Sequence, residues 1–173
     1  PLTCCNKVEL YLNGEQKFPA VLHAIRNAKH HIHLEYYIIE NDSTGWSVAN
    51  ELIKKAGEGV KIRIIYDAYG SRKMSNEYVH ALEKSGIEIY PFYKIYFPIF
   101  ANRLNYRNHR KIIIIDGKAA FLGGINISDR YVNSPDKSSG TYWRDTHLKI
   151  DGPGVKYLQY LFLCDWNFCS DQS

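Results

Sequence analysis

Hydrophobic and polar positions recur along this chain with two periods, one helical and one of strands. From Phe18 to Lys29, residues Phe18, Val21, Leu22, Ile25 and Ala28 share one side at 3.6-residue spacing, which predicts a helix. His31 to Glu40 is rich in β-branched and aromatic residues and stops at Asn41-Asp42-Ser43-Thr44-Gly45. That cluster also supplies N-caps for a helix from about Trp46 to Ala56, closed by Gly57 and Gly59. Val60 to Asp67 reads as a buried strand, Ser75 to Lys84 as a second crossover helix, and Ile87 to Phe92 as a third strand carrying Pro91. Strand and helix alternating at these lengths predict parallel pairing with right-handed crossovers.

The second half changes character. Lys111 to Ile115 is an apolar central strand, and Asp116-Gly117 is the strongest hairpin signal in the chain, returning Ala119 to Leu122 antiparallel. A polar loop runs from Ser128-Asp129 to Ser139-Gly140. Asp145 to Ile150 alternates as a strand, and Pro153 opens a last helix to about Phe168. The expected fold is α/β, a mixed and mostly parallel β-sheet flanked by helices, in a single domain over residues 1–173.

Composition agrees with one globular domain. The 173 residues are 45% hydrophobic and 23% charged. The net charge of +4 weakly favours an anionic partner. Cys4, Cys5, Cys164 and Cys169 follow no C-x-x-C pattern and read as reduced thiols. No apolar run reaches the ~18 residues of a membrane span. The chain opens at Pro1 without an initiator Met, so it is expected to be a soluble piece of something longer.

The chemistry concentrates at Asn108-His109-Arg110-Lys111 and beyond. On a strand His109 and Lys111 point the same way, about 7 Å apart. A neutral imidazole beside an ammonium suits a phosphate, which the histidine attacks while the lysine neutralises its oxygens. The alternative for the bare pair is a solvated basic edge. Asp116 has the opposite parity and suits pinning the turn. Gly123-Gly124-Ile125-Asn126 lets backbone approach a ligand and offers an amide donor. Asp145 opens a strand where its carboxylate can hold the second ring nitrogen of His109, or else pair with Arg144. Arg107 ends a basic, Tyr-bearing run from Asn102, and Tyr93 to Phe100 is an aromatic stretch that either meets a membrane interface or packs as a lid. Of Tyr36 and Tyr37 only one can face the site, and Tyr36 is taken as the substrate-side ring. His23, His30, His31 and His33 have no ligand geometry, so no metal or other cofactor is expected.

His109-x-Lys111-x4-Asp116-x6-Gly123-Gly124-x-Asn126 resembles the phospholipase D superfamily motif, with Gly124 where many members have Ser. Ile32 to Ile38, Gly59-Val60 with Asp67 and Gly70-Ser71, Trp143-Arg144-Asp145-Thr146-His147 through Gly152-Pro153, and Leu158 to Trp166 look like bacterial cardiolipin synthases. The resemblance implies a metal-independent two-step displacement through a phosphohistidine. By similarity His109, Lys111, Asp116, Asn126 and Asp145 form the catalytic set, Asp116 mostly as scaffold. Gly123, Gly124, Tyr36 and Arg107 are the expected substrate contacts.

Only one motif copy is present. His147-Leu148-Lys149 starts a second, but the fourth residue after the lysine is Pro153. The chain therefore reads as the N-terminal half of a two-motif phosphatidyltransferase, or as a chain that dimerises. The expected partners are anionic phospholipid, a second motif half and the surface of a bacterial cell membrane, where the parent would reside; nucleic acid is not expected. The competing readings are a single-motif homodimeric nuclease or phospholipase, and a lipid-binding half without turnover.

Overall fold

The structure is a computed structural model that describes residues 3–93, 107–133 and 142–170. Its elements are β1 (Lys7–Leu12), α1 (Asn13–Asn27), β2 (His31–Tyr36), α2 (Ser43–Gly57), β3 (Lys61–Tyr66), α3 (Asn76–Lys84) and β4 (Glu88–Pro91). They continue with β5 (Lys111–Ile115), β6 (Ala119–Gly123), a 3₁₀ turn (Asp129–Tyr131), β7 (Thr146–Asp151) and α4 (Val155–Ser170). Local chemistry sets the helix starts. Asp42 caps α2 by accepting from Gly45 N, and Ser75 caps α3 by accepting from Tyr78 N.

Among the described residues seven strands form one sheet in the order β1-β7-β6-β5-β2-β3-β4. The crossovers through α2 and α3 make β2, β3 and β4 parallel, as the alternation predicts. The sheet as a whole is mostly antiparallel, which corrects the expectation of mostly parallel pairing. β5 lies antiparallel against β2, the Asp116-Gly117 hairpin returns β6, β7 follows antiparallel, and β1 closes the edge against β7. The crossover signal is local to β2–β4; the direction of β5 depends on what precedes it.

β1 has no counterpart in the sequence expectations. It is an edge strand whose apolar residues Val8 and Leu10 are 56% and 59% exposed, so its alternation marks no buried face. α1 begins at Asn13, five residues ahead of the apolar pattern. The segments 94–106 and 134–141, which hold most of the aromatic stretch, the basic run before Arg107 and the end of the polar loop, lie outside the described residues.

Both faces of the sheet are covered. Ile32, Leu34, Tyr36, Ile113 and Phe121 pack on the side of α1, α2 and α3. Ile65, Ile112, Ile114 and Ala120 lie under Phe162 and Trp166 of α4. Polar residues on the inner strands are consequently buried on either face, among them His33, Glu35 and His147.

Candidate active site

His109 stands just ahead of β5 with an exposed ring, and its two neighbours are anchored. Asn108 N donates to Asp67 Oδ2 at 3.0 Å, and the Asn108 amide donates to Glu35 Oε1. Arg110 N donates to Asn108 Oδ1 at 2.9 Å, closing a turn around the histidine. The Arg110 guanidinium bridges Glu35, at 3.2 Å, and Asp165 of α4. Glu35 is fully buried; desolvation, with Asp165 close by, pushes its carboxyl well above the ordinary range. Buried Asp67 thus holds the Asn108 backbone, and buried Glu35 holds the side chains of Asn108 and Arg110 on either side of His109.

The imidazole stacks on Tyr37, with centroids 3.8 Å apart and planes 22° apart. Lys111 Nζ donates to the His109 carbonyl at 2.7 Å and lies 5.2 Å from the centre of the same tyrosine ring. Burial lowers the Lys111 pKa, and the nearby Asp145 opposes that shift. A desolvated cation beside an exposed imidazole is an arrangement that can hold and attack a phosphate.

The opposite wall is built by two glycines and Asn13. A Cβ on Gly123 would come within 2.7 Å of His147 Cα and Nδ1. One on Gly124 would stand 2.7 Å from Asp145 Cγ and 2.8 Å from Oδ2. Asn13, at φ 58°, holds Asp145 from both sides: Asn13 N donates to Asp145 O at 2.9 Å, and Asp145 N donates to Asn13 Oδ1 at 3.0 Å. The Asp145 carboxylate accepts from Thr146 N at 2.7 Å and makes no hydrogen bond to His109.

Beneath this wall lies Lys17, fully buried, donating to Ile125 O at 3.0 Å with its ammonium 4.8 Å from the Tyr36 ring centre. Burial depresses its pKa strongly, Asp145 offsets part of this, and Lys111 adds to the depression. His147 is equally buried and neither ring nitrogen has a partner; burial, then Lys17 and Lys111, push its pKa down to about 2.

The structure thus groups His109 and Lys111 on one side and Gly123, Gly124 and Asp145 on the other. Other candidates stand elsewhere. Asp116 sits at the far end of β5, where its carboxylate accepts from the backbone N–H groups of Lys29, His30 and His31. Tyr36 is a core residue 1% exposed, and the ring against His109 is Tyr37. Asn126 is buried and bridges: its Oδ1 accepts from Ile38 N at 3.0 Å and its Nδ2 donates to Tyr131 Oη. Arg107 lies 3.8 Å from the Tyr69 ring centre and interacts with Tyr37. His31 and His33 share Gln159, bonded at 3.1 Å and 2.7 Å. Glu35, Asp67 and His147 lie in segments that resemble cardiolipin synthases but have no role predicted from sequence, whereas Lys17 and Asn13 lie in none; for Glu35 the further signal is a charged residue within an otherwise apolar strand.

A seven-stranded sheet of this topology, with the His-x-Lys-x4-Asp motif leading into its central strand, defines a phospholipase D-like domain. NucT from Helicobacter pylori has the same fold, with a TM-score of 0.71 at 18% identity, covering 95% of this chain and 98% of that one. A phospholipase D family member, Nuc from Salmonella typhimurium, superposes with a TM-score of 0.67 at 20% identity, covering 95% and 97%. Residues 21–145 match the family described as cardiolipin synthase, PLD-like domain, and the chain belongs to that family. It is 47% identical over 161 residues to cardiolipin synthase 2 of Bacillus anthracis, covering 93% of this chain. The chain spans about a third of the length of the curated relatives it matches, 31% of that protein and 34% of cardiolipin synthase from Geobacillus thermodenitrificans.

Proposed function

We propose that this domain supplies half of a phosphatidyltransferase site that forms cardiolipin from phosphatidylglycerol-like lipids. The observation that carries the reading is the exposed imidazole of His109, clamped through Asn108 and Arg110 and flanked by Lys111 and Tyr37. A His109 ring nitrogen attacks the donor's phosphorus; the N–P bond forms as the P–O bond to glycerol breaks. The departing oxygen takes its proton from a second motif histidine, which then removes the proton of the acceptor lipid's hydroxyl as that oxygen displaces His109. Lys111 stabilises the phosphoryl oxygens, and Asp145 is the carboxylate on this rim available to the second nitrogen of His109. Asn126 and the glycines shape the wall, and Arg107 stands at the rim. The second histidine comes from another motif in the parent chain or from a second copy of this one. The parent works at a bacterial membrane surface. Among the described residues no helix is long and apolar enough to cross a membrane.

The test is His109→Ala in the full-length protein with phosphatidylglycerol vesicles. Cardiolipin formation should stop, along with the acid-labile phosphoprotein seen after rapid quench, while the melting temperature stays within a few degrees. Retained turnover would exclude the phosphohistidine. A second reading, a homodimeric phosphodiesterase, is favoured by one observation: this chain matches nearly the whole length of the two compact fold neighbours. It requires the 173-residue chain to dimerise and to hydrolyse a bis-aryl phosphodiester by itself.

A further inference from the structure

Tyr37 has a second side. Beside the face of the sheet end that holds His109 there is a polar pocket of about 90 Å³, lined by Tyr37, Glu40, Gly70, Arg72, Lys73 and Arg130 among others. That is about the space of three waters, which suits a single oxyanion and excludes an acyl chain. Gly70 permits it to abut the tyrosine, since a Cβ there would stand 2.8 Å from Tyr37 Cε2.

Its charge is unbalanced. Lys73 and Arg130 both bind Glu40 Oε1, at 3.3 Å and 2.8 Å, and Ser128 Oγ donates to Glu40 Oε2 at 2.8 Å. The one carboxylate therefore acts as a strut that orients two cations. Arg72 has no carboxylate partner among the described residues; its guanidinium lies 5.2 Å from the Tyr69 ring centre. Three cations against one acid leave the pocket at a net charge of +2, next to the ring on which His109 stacks. A pocket of this size and sign suits an oxyanion.

We propose that this pocket holds the acceptor lipid's own phosphodiester, the phosphate that is not cleaved, and so presents its free hydroxyl to the phosphoryl group on His109. The inference rests on the transferase reading above. In the product of that reaction a three-carbon glycerol bridge joins two phosphates, so the site needs a second anion-binding position a short distance from the first. Lys111 serves the reacting phosphate; Arg72, Lys73 and Arg130 serve the other.

The experiment uses the full-length enzyme on phosphatidylglycerol vesicles with butan-1-ol present, and measures cardiolipin and phosphatidylbutanol together. Phosphatidylbutanol needs the donor site but no acceptor phosphate. Arg72→Gln, and Arg72→Gln with Lys73→Gln, should lower the ratio of cardiolipin to phosphatidylbutanol about tenfold or more, the effect of losing one charge-assisted contact. The rate of phosphatidylbutanol formation should hold. Inorganic phosphate should suppress cardiolipin selectively in the wild type and lose that selectivity in the double variant, which separates a free anion from the lipid headgroup. An unchanged ratio, or a parallel fall of both products, would overturn the proposal. So would loss of single-stranded DNA binding in the variants with the lipid ratio intact, which would give the pocket to a nucleic-acid backbone. His109→Ala is the separate control: both products persisting there would refute the transferase reading itself, whatever the pocket does.

Discussion

Asp116 belongs to the motif but lies far from the imidazole, and its replacement separates scaffold from chemistry. The residue occupies the first position of the β5–β6 turn with φ 54°, followed by Gly117 at 63°, the left-handed pair of a tight hairpin. Its carboxylate accepts from Lys29 N at 2.9 Å, His30 N at 2.8 Å and His31 N at 3.0 Å, tying the turn to the entry of β2. Three partly exposed hydrogen bonds to a carboxylate contribute roughly 1 kcal/mol each. Alanine adds a left-handed penalty of about 1–2 kcal/mol. Asp116→Ala should therefore cost roughly 4–5 kcal/mol and lower the melting temperature by about 10–20 °C in a chain of this length. Asp116→Gly removes the same bonds without the backbone strain and should cost less; Asp116→Asn, which tolerates the conformation and keeps an acceptor, less still. Burial works against the ionised form, but the three amides hold the Asp116 carboxyl below its ordinary value of 3.8. Its stabilisation is therefore present above the unfolded pKa and is lost as pH falls through the folded one. Circular-dichroism melts of the 173-residue chain at pH 7 and pH 3 measure this, and the gap between wild type and Asp116→Ala should narrow at pH 3. An alanine variant melting within about 3 °C of wild type would refute the reasoning. So would an asparagine variant that melts normally yet has lost transfer activity.

Two further outcomes are expected. Gly124→Ser must displace the Asp145 carboxylate, because any Cβ at 124 falls inside its contact distance. Stability should drop by only about 1–2 kcal/mol, since Asn13 keeps the Asp145 backbone; a crystal structure of the variant with Asp145 unmoved would contradict this. His147 is held neutral by burial, with a pKa of about 2, so as pH falls from its ordinary value of 6.5 toward 2 the unfolded chain takes up a proton that the fold does not, and stability is lost over that range. His147→Asn should flatten the loss of urea stability between pH 6.5 and pH 4, without abolishing it, because His33, pushed down to about 3 by burial, His31 and Arg63, likewise stays neutral in the fold across that window while its unfolded form protonates. An unchanged slope would show that His147 is not the group responsible.

Local pattern by itself determined a good deal of this molecule. The period-2 rule expected His109 and Lys111 on one side of a strand; β5 begins only at Lys111, and a turn through Asn108 and Arg110 holds His109 beside Tyr37, near Lys111. Asp-Gly dictated the hairpin after β5 because both residues accept positive φ. Apolar spacing and capping residues marked α2, α3 and the strands around them. Tertiary structure alone decided the direction of β5, since antiparallel pairing with β2 is a hydrogen-bonding choice between segments about 80 residues apart. It also decided which tyrosine meets His109: β2 ends at Tyr36, so the chain turns there and Tyr37 swings to the rim while Tyr36 stays in the core. Nothing in the sequence marks Lys17 or His147 as buried, yet both are 0% exposed. Lys17 is buried on the sheet side of α1, which enters through the left-handed Asn13, and His147 is buried on β7. A polar face implies solvent only when one side of a sheet is open, and here helices close both.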